Sequence, residues 1–165
     1  MKKHTLTATN IARIGMMTAT IEVAKCALSF LPNVELVSFL IILYTLSFGK
    51  LIFFVIPVFI LLEGCIYGFG LWWIMYLYAW PILALLTLLF RRQQSPFFWS
   101  MLSGFFGLFF GALCAIPYFF IVGVHGTFEW WVAGIPYDIV HCISNFCICL
   151  VLFSPMKKLM ERLMR

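Results

Sequence analysis

The charges in this sequence divide it into apolar runs of about the length needed to cross a bilayer, and that spacing constrains the fold more than any single motif. A spanning helix needs about 20 predominantly apolar residues. Candidate spans occupy residues 10–31, 36–48, 51–69, 72–90, 96–123 and 136–154. The second is short, so residues 36–62 offer an alternative as one long helix with Lys50 in its middle. Cations separate the two readings, because Lys and Arg concentrate on the cytoplasmic side of membrane proteins. With six spans and a cytoplasmic N-terminus, Lys2, Lys3, Arg13, Lys50, Arg91, Arg92, Lys157, Lys158, Arg162 and Arg165 all fall on that side, ten of the eleven Lys and Arg. With five spans, Lys50 is stranded in hydrocarbon, and Arg91 and Arg92 land opposite the N-terminus. The expected fold is therefore an all-α integral membrane protein, one six-helix membrane domain over residues 1–165 with both termini cytoplasmic and a tight turn at Gly49. After Ser154-Pro155, Met156, Leu159, Met160, Leu163 and Met164 share one face, which predicts a short amphipathic tail helix on the cytoplasmic leaflet.

Several function classes are excluded at this level. With 64% hydrophobic and 10% charged residues and a mean hydropathy of +1.07, the chain has no composition left for a soluble domain. The apolar run that follows Met1 to Asn10 contains Glu22 and Lys25 and no small-residue cleavage pattern, so a removable signal peptide is not expected. Cys26, Cys65, Cys114, Cys142, Cys147 and Cys149 lie in apolar runs without a C-x-x-C pair, which suits small core residues better than a disulfide or metal set. There is no G-x-x-x-x-G-K-[ST] loop, so any ATP chemistry must belong to a partner. His125, His141, Asp138 and Glu63 form no tight ligand motif such as H-x-x-x-H, and neither a metal, a cofactor nor a nucleic-acid partner is expected.

The informative residues are the polar ones left inside the apolar runs. The first run carries Glu22 and Lys25, and a charge at membrane depth costs about 2.5 to 3.5 kcal/mol on insertion scales. In the six-span topology Glu22, Glu35, Glu63, Glu129 and Asp138 all lie in the outer half or in outer loops, with Lys25 as their one basic companion and Glu161 alone inside. Aromatic groups gather at the same level: Tyr67, Trp72, Trp73, Tyr76 and Trp80 around the third and fourth spans, and Trp130 and Trp131 with His125 and Glu129 in the connection from Val124 to Pro136. Asp138, His141 and Asn145 recur at i, i+3 and i+7 on one face of the last span. Plain structural roles exist for each. Glu22 and Lys25 can neutralise one another across i, i+3, His141 can be a core histidine satisfied by Asp138, and the tryptophans can form an interfacial belt. Taken together they describe an outward-opening pocket built from Glu22, Lys25, Asn33, Glu63, Tyr67, Trp73, Tyr76, Trp80, His125, Trp130, Asp138, His141 and Asn145. Aromatic faces of this kind stack on flat rings or attract cations. The excess of carboxylates over Lys25 points to a cationic or donor-rich ligand.

These features resemble a known family. About six spans in fewer than 200 residues, the segment Ala12-Arg-Ile-Gly-Met16-Met-Thr-Ala19, the turn Leu31-Pro32-Asn33-Val34-Glu35 and the opening Pro136-Tyr137-Asp138 with His141 and Asn145 are similar to the substrate-binding S components of energy-coupling factor transporters, vitamin-uptake relatives of ABC importers. The Pro-Asn turn and the Asp-x-x-His segment look most like the cobalamin-type and unassigned S components. The resemblance implies a small micronutrient as ligand, a transmembrane coupling subunit and two ATPase subunits as partners, and a prokaryotic plasma membrane as location. It also implies a small-residue docking stripe in the first helix. Here Ala12 is followed at i+4 by Met16 rather than a small residue, so the nearest pair is Gly15 and Ala19. Small residues allow close approach of two helix backbones in lipid. Two other classes fit some of the residues: a membrane enzyme with His141 and Asp138 as acid and base, and a sensor resembling the five-span tryptophan-rich tetrapyrrole-binding proteins.

Overall fold

A computed structural model describes residues 7–164; Lys2, Lys3 and Arg165 lie outside the described residues. The described chain is helical, with no strand: α1 (Ala8–Ala27), α2 (Val37–Phe48), a 3₁₀ turn (Gly49–Leu51), α3 (Ile52–Tyr67), α4 (Leu71–Leu89) and α5 (Pro96–Leu163). Three stretches are long and apolar enough to cross a membrane: Val37–Tyr67, Leu71–Leu89 and Pro96–Leu163. The first is broken at Gly49 (φ 60°) and the last at Gly123 (φ 72°), left-handed conformations that cost glycine little because it has no Cβ. Thr7 caps α1 by accepting a hydrogen bond from the Asn10 backbone N–H.

α2 is the central element. It is apolar on all sides, every residue from Val37 to Thr45 is buried, and α1, α4 and α5 surround it. Its 12 residues give a rod of only about 18 Å, against about 30 Å for a hydrocarbon core. The polar residues that precede it therefore enter the interior of the fold instead of its edge.

Side-chain contacts fix the direction of each helix. α1 runs antiparallel to α2, with Arg13 over the Phe48 ring at 5.7 Å. It runs alongside α3, with the last turns of both in contact through Lys25 and Glu63 and through Cys26 and Tyr67. α4 returns past α3, where the Trp73 indole N–H donates to the Ile60 carbonyl at 2.8 Å. The two arms of α5, residues 96–122 and 124–163, fold back on one another at Gly123: Trp99 stacks on Phe153, Tyr118 on Trp130, and Lys157 bonds Gln94. Gly104, Gly107 and Gly111 face Cys142 and Phe146, His141 and Asn145, and Asp138 across this seam, which lets the arms approach closely. Arg13, Lys50, Arg91, Arg92 and Lys157 consequently belong to one end of the bundle, and Glu22, Lys25, Glu35, Glu63 and Asp138 to the other.

Two expectations need correction. The expected connection from Val124 to Pro136 is helical throughout, because Gly123 alone makes the reversal and the second arm resumes at once. The tail is also not a separate helix: α5 continues through Pro155 to Leu163. Met160, Leu163 and Met164 line a cleft with Arg13, Tyr44 and Phe48, so this face packs partly on α1 and α2.

Candidate functional site

At the acidic end, the last turn of α1, the α1–α2 connection, α4 and both arms of α5 line a half-open cavity of about 280 Å³. Its wall includes Lys25, Asn33, Glu35, Tyr76, Trp80, Phe110 and His141. The connection is shaped by Asn33, a left-handed residue (φ 57°) whose carbonyl accepts from the Ser144 hydroxyl at 2.8 Å. Asn tolerates this conformation better than most non-glycine residues. One wall is a chain of aromatic rings in contact, Tyr76 to Trp80 at 5.3 Å, Trp80 to Phe110 at 5.4 Å and Phe110 to His141 at 5.1 Å.

Polar clusters flank this wall on two sides. On the first, Lys25 is paired with Glu63 of α3, and its ammonium lies 4.5 Å from the Tyr67 ring centroid and 5.9 Å from that of Tyr76. Glu22 accepts from the Cys26 thiol at 3.5 Å, and Cys26 meets the Tyr67 hydroxyl at 3.3 Å. The plain structural alternative, neutralisation of Lys25 by Glu22 within α1, gives way to a bond between helices. On the second side, His141 Nε2–H donates to Glu35 Oε1 at 3.2 Å, while the Ser38 backbone N–H donates to Glu35 Oε2 at 2.9 Å. Asn145 completes this cluster by donating to the Ser38 hydroxyl at 3.3 Å.

Burial alone favours the neutral form of Glu35, but the hydrogen bond and charge of His141 and the two Ser38 contacts outweigh it and hold the carboxyl below its ordinary value. A carboxyl depressed in the fold stabilises above its unfolded value, about 4.3, and loses that contribution as pH falls through the lower folded value. Glu35→Gln is expected to cost about 2 kcal/mol at neutral pH, as for a hydrogen bond to a charged group. It should also flatten the acid limb of a plot of melting temperature against pH.

The remaining expected site residues divide into two groups. Tyr67 and Asn145 belong to the clusters just described. Trp73 is committed to the Ile60 carbonyl and lies outside the cavity wall. Asp138 accepts from the Gly111 backbone N–H at 3.0 Å, which ties the two arms of α5 together. It makes no hydrogen bond to His141, so the histidine satisfied by Asp138 is not formed. His125 and Trp130 sit farther out on the second arm, His125 against Glu129 at 3.2 Å and Trp130 against Tyr118. Ala12, Gly15, Met16 and Ala19 all lie on the exposed side of α1, and Gly15 has open space where a Cβ would be. Sequence reasoning missed Glu35, Ser38 and Phe110 as parts of the site. An acid directly before an apolar run that begins Leu36-Val37-Ser38 was the available signal for the first two. No protein-family model, no curated protein and no solved structure matches the chain.

Proposed function

We propose that this chain is the substrate-capturing S component of an energy-coupling factor transporter, with six spans and both termini in the cytoplasm of a prokaryote. The observation that carries the reading is the cavity, a site of about 280 Å³ that combines an aromatic wall with polar groups on both flanks. The opposite end gathers the cations, which suits a cytoplasmic face. Trp80 Nε1 and His141 Nδ1, on two residues of the cavity wall, are buried without hydrogen-bond partners. The volume favours a micronutrient of one or two rings.

In this reading the ligand enters from outside, and a transmembrane coupling subunit with two ATPase subunits drives its delivery. Uptake of a panel of labelled vitamins and precursors by cells with and without the gene tests it. One compound whose uptake needs the gene and the partner ATPases is the expected outcome; uptake of the whole panel unchanged by deletion removes the transport claim.

The exposed stripe of Ala12, Gly15 and Ala19 is the docking face on the coupling subunit, with Met16 at its border. Gly15→Leu meets no neighbouring atom and replaces glycine by a better helix former, so the isolated subunit should lose no stability. Its ligand binding should also be unchanged, while uptake in the presence of the partners falls at least tenfold. Loss of binding by the isolated variant would contradict this division between the two halves of α1.

A further inference from the structure

Glu63 is wholly buried, and Glu22 is 7% exposed. The two carboxylates are neighbours where α1 packs on α3, on either side of Lys25 and Cys26. α1 contributes Lys25, bonded to Glu63 Oε2, and the Cys26 thiol on Glu22 Oε1; α3 contributes Tyr67, whose hydroxyl is on Cys26, and α4 contributes the Tyr76 ring beside Lys25. Glu35, on the connection across the cavity, is committed to His141 and Ser38. Among the described residues, one ammonium, bonded to Glu63, therefore stands beside two carboxylates. Glu22 Oε2 and Glu63 Oε1 remain, both buried and both without a donor among the described residues.

Two ionised carboxylates in one buried site repel each other, and each remaining oxygen is an acceptor with nothing to accept. A single proton removes both costs, because it converts one carboxylate to a donor and forms an O–H···O bond between the two. We propose that Glu22 and Glu63 bind one proton between them at neutral pH, so that with Lys25 the cluster carries no net charge. Lys25 also lines the cavity. A ligand group that moves its ammonium changes the charge beside the shared proton, and this couples cavity occupancy to proton binding. The proton site itself does not depend on what fills the cavity.

Infrared spectroscopy of the purified protein in lipid nanodiscs, with no ligand added, reads this directly. The wild type should show a carboxylic-acid C=O band at neutral pH that disappears in alkaline buffer. Glu22→Gln and Glu63→Gln should each abolish the band, since the remaining glutamate then has Lys25 to itself and ionises. Both exchanges are nearly isosteric, and circular dichroism confirms the helical fold of each. Asp138→Asn should keep the band. No band in the wild type, a band that survives both glutamate variants, or one lost only in Asp138→Asn overturns the proposal. So does a sodium-dependent rise in melting temperature without any carboxylic-acid band, which would assign the pair to a metal ion.

Discussion

Lys25→Met is expected to lower the stability of the purified protein by about 3 kcal/mol or more, read as a large drop in its melting temperature in detergent. The size follows from what is left behind. Removing one partner of a buried ion pair strands the other charge, at about 3 to 5 kcal/mol, whereas the intact pair contributes far less. Lys25 is the one ammonium bonded to the wholly buried Glu63. The triple variant Lys25→Met/Glu22→Gln/Glu63→Gln, which strands no charge, should therefore be more stable than Lys25→Met alone and regain most of the loss. If the single variant melts like the wild type, the bond between α1 and α3 does not hold the site together.

Gly107→Leu should be as damaging, by a different route. A Cβ at this position would lie 2.8 Å from the His141 carbonyl oxygen and 3.1 Å from Asn145 Nδ2. The nearest obstacle is backbone, which cannot rotate away, so the two arms of α5 must separate. Overpacking costs about 1 to 3 kcal/mol where side chains can adjust, and the upper end or beyond is expected here. The separation also withdraws His141 from Glu35, so the cavity wall opens as the fold weakens. Thermal denaturation of Gly107→Leu beside Gly15→Leu makes the comparison within one protein. A loss at Gly107 and none at Gly15 is expected, and equal losses would mean that helix propensity, not the seam, dominates.

These contrasts show which parts of the molecule a single sequence encodes locally. The turn at Gly49 was legible because a glycine precedes a charge between two apolar runs, and the helix from Leu71 to Leu89 was legible from its length. The reversal in α5 was displaced because the cue of a polar, aromatic stretch ending at Pro136 suggested a loop. One glycine makes the turn, and Pro117, Pro136 and Pro155 all sit within helix. Proline is tolerated in such helices when neighbours satisfy the freed backbone groups. For the site, Lys25, Tyr76, Trp80 and His141 stood out because polar and aromatic groups in apolar runs are costly to misplace. Their partners did not. Glu35 and His141 are 106 residues apart, and Lys25 and Glu63 are 38 apart, so only the packing of the bundle brings them together. The i, i+3 spacing of Glu22 with Lys25 and of Asp138 with His141 suggested local pairs, yet Lys25 and His141 bond residues on other segments instead.

In the proposed function the cavity at the acidic end holds a small molecule. Native mass spectrometry of the protein purified from cells grown in rich medium tests it most directly, with Leu28→Trp as the control. Leu28 lines the cavity but makes no polar side-chain contact with the clusters, so a larger ring there fills the space and leaves Glu35, His141 and Lys25 in place. One small organic molecule per wild-type chain is expected, and none on a folded Leu28→Trp chain. A wild-type protein without a bound molecule, or the same molecule retained by Leu28→Trp, would contradict it.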